Sequence, residues 1–447
     1  MSGHHMTRRN ALKAAGLAGA TGVAGCLGDG GGGAEGTLRI GVLQPLTGDI
    51  QYYGQQSMWG FLSGLSYKLD QDPPSVEAAG QETIEGEDVT YELHIEDTQF
   101  DPNQAQDVAT DLVEKEDVDV LFGTASSGSA RQVIDTVTTA AEVPTVIGPA
   151  AAADITSNGE YCSDLVFRAN ENTAMDARSG GRYVAQETDV ESVFIMAANY
   201  SFGKAVANNY KEVLEAEGIE IADIRYVERG YAEFEGLFDE AVDSGADAVI
   251  GGFTVATLPQ FLSTGLQYDL RLFGGFATLI SNRAVGGVLQ RTLGEDFTAQ
   301  DVRDAKLGPF TTRYHWNQYD NEINDWFVDK YSETYGTVPD LFTSGTFTAA
   351  SSIVQAVEEE GSLDGDDIAD GLKGMSVTDT PKGEGGYTYQ EYNNQARSEM
   401  TIADPVPTSD EWADYWDATI MPGEPRARVS GEESTLPADH PDMKCDL

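Results

Sequence analysis

Ile40-Gly41-Val42-Leu43-Gln44-Pro45-Leu46-Thr47-Gly48 is a β-branched, apolar run that stops at a proline and turns through Thr-Gly before reaching Tyr53-Gly54. A short apolar run bounded by turn residues reads as a buried strand, and residues 38–43 are therefore the first strand expected. Helical spacing follows over 57–69, where Trp59, Leu62, Leu65 and Leu69 share one side. The same alternation continues outward. Strands are expected at 91–96, 118–122, 144–147, 192–197, 219–227, 246–252 and 271–275, with helices between them, among them 104–116 and 203–217. Phe327, Tyr331 and Tyr335 mark a further helix. Strand and helix in strict turn predict an α/β fold with parallel central sheets.

The chain has 447 residues, more than one hydrophobic core usually serves, so two lobes are expected. The alternation breaks near 155–165 and again near 301–313, in stretches too short to be linkers between independent domains. They read as crossings of a multi-stranded hinge between two Rossmann-like lobes. The first lobe would hold 37–157 plus 313–362 and the second 158–312 plus 366–404. Residues 405–447, with Trp412 and Trp416, would form a C-terminal extension of irregular structure.

Acidic residues number 75 against 27 Lys and Arg, a formal net charge of −48. That charge excludes binding to nucleic-acid phosphates. The acids are spread over nearly every helix, as at Glu212, Glu215 and Glu217 or at Glu358, Glu359 and Glu360. A basic partner would call for clustering, whereas a uniformly acidic surface suits strong screening by salt. A salt-loving source is the expectation.

The amino terminus reads as an address. Thr7-Arg8-Arg9-Asn10-Ala11-Leu12-Lys13, followed by a mildly apolar stretch over 14–24, resembles a twin-arginine export signal. The apolar stretch is far shorter than a membrane span. Val23-Ala24-Gly25-Cys26 resembles a lipobox, so residues 1–25 would be removed and Cys26 would carry lipid. The Gly-rich run over 26–36 would be the tether, placing the body outside the cytoplasmic membrane and anchored to its outer face. Gly28, Gly30 and Gly33 match a dinucleotide-binding pattern, but no strand precedes them and no helix follows. Of the remaining cysteines, Cys162 and Cys445 either pair in an oxidising compartment or stay unpaired as small hydrophobes. Pairing, which would wrap the C-terminus back over the body, is the prediction.

Over 37–404 the motifs resemble the type I periplasmic binding proteins of the branched-chain amino acid and amide group, here with the look of a haloarchaeal-type lipoprotein. The opening stretch is similar to that family's first strand and its Pro-Leu-Thr-Gly loop. Glu96-Asp97-Thr98-Gln99-Phe100-Asp101-Pro102 resembles its acidic loop after the second strand, and Phe122-Gly123 leads into Ser126-Ser127-Gly128-Ser129. Ile147-Gly148-Pro149-Ala150-Ala151-Ala152 parallels its Ser-Pro-Ala-rich turn. Ala198-Asn199-Tyr200-Ser201-Phe202-Gly203, Gly251-Gly252-Phe253 and Gly274-Gly275-Phe276 resemble loops of its second lobe.

The resemblance implies a small-molecule site between the lobes, and in α/β sheets ligands do meet the carboxyl ends of strands. Its expected residues are Tyr53, Ser126, Ser127, Ala150, Ala151, Ala152, Phe202, Phe253 and Phe276. The serines would offer hydroxyl and N–H donors, or simply cap a helix. The aromatic residues would form apolar walls, or pack in a core. The partners implied are the permease subunits of an ABC-type uptake system and the membrane reached through the lipid. A sensing role beside a membrane receptor shares the same closing lobes.

Three positions depart from the family. Phe276 stands where a carboxylate commonly meets a ligand ammonium, Ala152 where a threonine hydroxyl is expected, and Phe202 where a tyrosine is common. A buried ammonium without a partner is costly. A less polar carboxylate, an amide or an aromatic acid is therefore expected rather than an ordinary amino acid, unless another acid such as Asp269 supplies the charge. Catalysis and cofactors are not expected. The body carries no nucleophile, metal or phosphate motif, His94 reads as a solvated edge residue, and His315 reads as structural.

Overall fold

The computed structural model describes residues 34–274 and 278–447. Strands β1 (Gly36–Gln44), β2 (Gly80–Glu85), β3 (Val89–Asp97), β4 (Val120–Gly123), β5 (Thr145–Ile147) and β6 (Val166–Arg168) form one sheet, ordered β2-β3-β1-β4-β5-β6. Every pairing is parallel except that of β2, an antiparallel edge strand on β3 which the sequence pattern did not reveal. Its sequence, GQETIE, buries only Ile84. β1 is covered on both faces, as a central parallel strand must be. Leu38, Ile40 and Val42 pack on one side with helices Gln51–Lys68 and Thr343–Glu360, whereas Leu43 packs on the other with Ala105 and Leu112.

The two helices on that first face approach closely because Gly60 and Gly64 lie against the backbone of Thr343 and Phe347. A methyl group at either glycine would collide with those carbonyls.

The second sheet, β10-β9-β7-β8, is wholly parallel and consists of β7 (Ser192–Ala198), β8 (Glu220–Val227), β9 (Ala248–Gly252) and β10 (Arg271–Gly274). Its core gathers Val193, Ile195, Val249, Ile250, Phe234, Phe238 and Phe261. A third sheet, of order β11-β15-β16, joins β11 (Phe310–Thr312) to β15 (Met400–Pro407) and β16 (Ile420–Val429), all antiparallel. A small antiparallel sheet holds β12 (Ser376–Val377), β13 (Tyr387–Tyr389) and β14 (Ala396–Ser398). The molecule is thus α/β, with two parallel-sheet lobes.

Three expected boundaries are displaced. β6 pairs with β5, so the first lobe runs through Arg168 rather than ending at 157. Residues 366–398 pack on the first lobe, not the second, because Ile368, Leu372, Val377, Tyr387 and Tyr389 share its core. The extension is not irregular throughout. Its ten-residue strand β16 continues the third sheet, and the buried Trp416 packs against Trp316, ring centroids 4.6 Å apart and tilted by 42°.

Crossings between the lobes lie at 169–176, at Arg313 and near Glu399, and buried ion pairs mark them. Arg313 grips Asp176 through Nε at 3.0 Å and Nη2 at 2.5 Å. Lys382 Nζ meets Glu171 Oε1 at 2.7 Å, an oxygen that also accepts from the Tyr387 and Ser398 hydroxyls. Burial alone would push the Glu171 carboxyl up, but Lys382 beside it brings it below the usual range.

The tail closes over the body. Cys162 and Cys445 are joined as a disulfide, their Cα atoms 6.0 Å apart across 283 residues of sequence, and the Lys444 amide donates to Ser157 O at 2.7 Å. The export signal and Cys26 fall outside the described residues. Among the described residues no helix is long and apolar enough to cross a membrane.

Candidate functional site

The carboxyl ends of the two parallel sheets face one another, and between them lies a narrow cleft that is nearly closed, with a free volume of about 30 Å³. The first lobe contributes Tyr53, Phe100, Ala125, Ser126, Ser127, Pro149, Ala151 and Phe342, the second Tyr200, Phe202 and Thr254, and the crossing between them Arg313. Of the expected residues, Tyr53, Ser126, Ser127, Ala151 and Phe202 meet here.

Local chemistry explains each placement. β4 ends at Gly123, whose φ of +142° and contact with the Leu43 backbone admit no side chain. The chain then turns into helix Ser127–Val133, with Ser126 as its N-cap: Ser126 Oγ accepts the Ser129 N–H at 3.2 Å. Ser126 therefore caps a helix and lines the cleft at once. Ser127 Oγ accepts the Ala152 N–H at 3.1 Å, tying two loops together. Tyr53 sits on the first turns of helix Gln51–Lys68, its ring 4.8 Å from Phe342, and its hydroxyl accepts the Val255 N–H of the opposite lobe at 2.8 Å. Tyr200 shares a 2.8 Å hydrogen bond with Thr254. Burial raises the Tyr53 and Tyr200 phenols, which stay neutral.

Ala150 and Ala152 stand one layer behind. Their carbonyls accept Arg168 Nη1 at 3.1 and 2.7 Å, and Gln395 Oε1 and Thr156 Oγ1 hold the rest of that guanidinium at 2.6 Å each. Burial among neutral acceptors pulls Arg168 down to about 9. Its role is to fix the turn that carries Pro149 and Ala151. Phe253 points away from the cleft, its ring 5.4 Å from Phe234 and 5.2 Å from Phe261 in the second core. The residue after it, Thr254, faces the cleft instead. Phe276 lies outside the described residues. Asp269 cannot serve the cleft, because it is almost fully exposed and pairs with Lys306 at 2.5 Å.

Phe100, Pro149 and Tyr200 lay inside the quoted motifs and Thr254 one step beyond one. Arg313 and Phe342 had no local signal, since a later pass of the chain brings them in.

Beside the cleft, Asp340 Oδ2 accepts the Tyr52 hydroxyl at 2.5 Å and the Leu279 N–H at 2.9 Å, linking helix Gln51–Lys68 to helix Leu279–Leu293 of the second lobe. Burial pushes its carboxyl up to about 6. His315, 3.5 Å away and wholly buried, is pulled down to about 3 for the same reason. His94 is not a solvated edge residue. Strand β2 covers it, and Gln81 and Glu92 hold its ring nitrogens at 3.1 and 2.9 Å. Among the described residues, Glu212, His440 and Asp442 form a group whose possible metal-ligand atoms lie within 4.8 Å of one another. It stands at the surface, outside the cleft lining.

The geometry has counterparts among known proteins. A leucine-, isoleucine-, valine-, threonine- and alanine-binding protein of Pseudomonas aeruginosa is 23% identical over 356 residues, covering 78% of this chain and 86% of that one. A Leu/Ile/Val-binding protein homolog of Brucella abortus is 24% identical, covering 77% and 82%. Among solved structures, an ABC-type branched-chain amino acid transporter protein of Rhodopseudomonas palustris superposes with a TM-score of 0.67 at 21% identity, covering 92% of this chain and all of its own. A solute-binding protein of the same species, in complex with p-hydroxybenzoic acid, gives 0.68 at 17% identity, covering 88% and 97%. The family model described as periplasmic binding protein matches residues 37–409. Through that match, and with two lobes facing each other across a lined cleft, the chain belongs to the periplasmic binding protein family, the non-enzymatic solute-binding components of ABC-type transporters.

Proposed function

We propose that this protein closes its lobes on a small organic solute outside the cell and hands it to the permease of an ABC-type uptake system. The cleft carries this reading. Its walls come from both lobes, so a bound solute makes contacts that exist only when the lobes are together, and such differential contact drives closure. The Tyr53 to Val255 hydrogen bond already spans the gap. Relatives named for leucine, isoleucine and valine, and a structural neighbour holding p-hydroxybenzoic acid, support a small organic solute.

Two further parts of the reading rest on sequence. The paired Arg8 and Arg9 and the Val23-Ala24-Gly25-Cys26 segment support twin-arginine export and a lipid anchor on Cys26. The net charge of −48 spread over the surface supports a concentrated-salt habitat.

The test is a thermal-shift screen in concentrated salt against amino acids, amides, urea and aromatic acids. A solute at a hundred times its Kd stabilises the folded state by about 2.7 kcal/mol. A panel in which no member raises the melting temperature would refute capture.

A further inference from the structure

Hydroxyl groups dominate the polar lining of the cleft, and most are already engaged as acceptors. Tyr53 accepts Val255 N–H, Ser126 accepts Ser129 N–H, and Ser127 accepts Ala152 N–H. A hydroxyl has one proton to give, so each retains that proton for another partner. Tyr200 and Thr254 use one proton in their mutual bond and keep the other. Arg313 adds a guanidinium, whose charge Asp176 balances from outside the lining. Among the described lining residues there is no carboxylate and no side-chain amide. The cleft thus offers hydroxyl protons and, among the described lining residues, no anionic acceptor.

The remaining surface is aromatic: Tyr53, Phe100, Tyr200, Phe202 and Phe342. From this imbalance, and resting on the cleft as the solute site, we infer that the ligand is a small monocarboxylate with an apolar, preferably planar body and no ammonium group. A carboxylate only accepts hydrogen bonds and matches the hydroxyl protons. An ammonium only donates, and enclosed without a carboxylate to balance its charge it forfeits its hydration. Aromatic faces do attract cations, but no carboxylate in the described lining balances the charge of one.

Matched pairs that differ only in the amino group isolate this preference. Calorimetric titration of the full chain in concentrated salt compares leucine with 4-methylpentanoate and phenylalanine with 3-phenylpropanoate, with 4-hydroxybenzoate and choline alongside. The expected result is binding of each amine-free acid at least ten-fold tighter than its amino acid, with 4-hydroxybenzoate bound and choline not. Thr254→Asp, which places a carboxylate in the lining, is expected to narrow or reverse the ratio within each pair. Tighter binding of either amino acid than of its partner, or tight binding of choline, overturns the inference while leaving solute capture intact. Absence of binding by every probe overturns both.

Discussion

At Asp340 three donors, Tyr52 O–H, Leu279 N–H and Leu341 N–H, converge on a carboxyl that burial nevertheless pushes up to about 6. Because the folded value lies above that of the unfolded chain, the folded state binds more protons between about pH 4 and 6. This residue's contribution therefore grows as pH falls through that window and is lost as pH rises through 6. His315 acts in the opposite sense. Its folded value of about 3 lies below its unfolded one, so acidification from about 6.5 favours the unfolded chain. In Asp340→Asn only the destabilising trend remains, and the melting temperature is expected to fall more steeply between pH 6 and 4 than in the parent. Parallel melting curves across that range for the two proteins would refute the assignment.

Among the elements, the pairing of helices Gln51–Lys68 and Thr343–Glu360 sets how closely the first lobe packs beneath the cleft. In an exposed helix, Gly→Ala gains about 1 kcal/mol from propensity. At Gly64 the added methyl would meet the Phe347 carbonyl, backbone that cannot swing aside. Overpacking of this kind costs about 1–3 kcal/mol, so Gly64→Ala is expected to destabilise despite its better helix propensity. Chemical unfolding in concentrated salt reads the sign directly. Tyr53 belongs to the same helix, so a shift in that packing also reaches the cleft.

For the whole molecule, the tail ties distant parts together. Cys445 bonds to Cys162 on the first lobe, while the Glu433 carbonyl accepts from Arg178 and Arg182 on the second. Cys445→Ser is expected to lower stability by about 2–5 kcal/mol, and limited proteolysis is expected to trim the chain near 435–447. Equal melting and equal protease resistance would show that the bond contributes nothing. The alternation of β1, β3–β5 and β7–β10 with helices, and with it the parallel sheets, was determined by the sequence, whereas β2, β6 and the small antiparallel sheet left no such pattern, and Tyr53, Ser126, Ser127, Ala151 and Phe202 were marked by the resemblance to the binding-protein family. Strand ends, turn residues and apolar periodicity are local, and they place a loop at a sheet's carboxyl edge wherever the rest of the chain goes. Only tertiary structure decided that Thr254 rather than Phe253 faces the cleft, that Ala150 and Ala152 serve Arg168 behind it, and that 366–398 joins the first lobe. It also brought Arg313 and Phe342 to the site. These outcomes depend on which of several apolar neighbours fills a given volume, and on where the chain recrosses the hinge. Both are set by contacts between residues far apart in sequence, which no local pattern records.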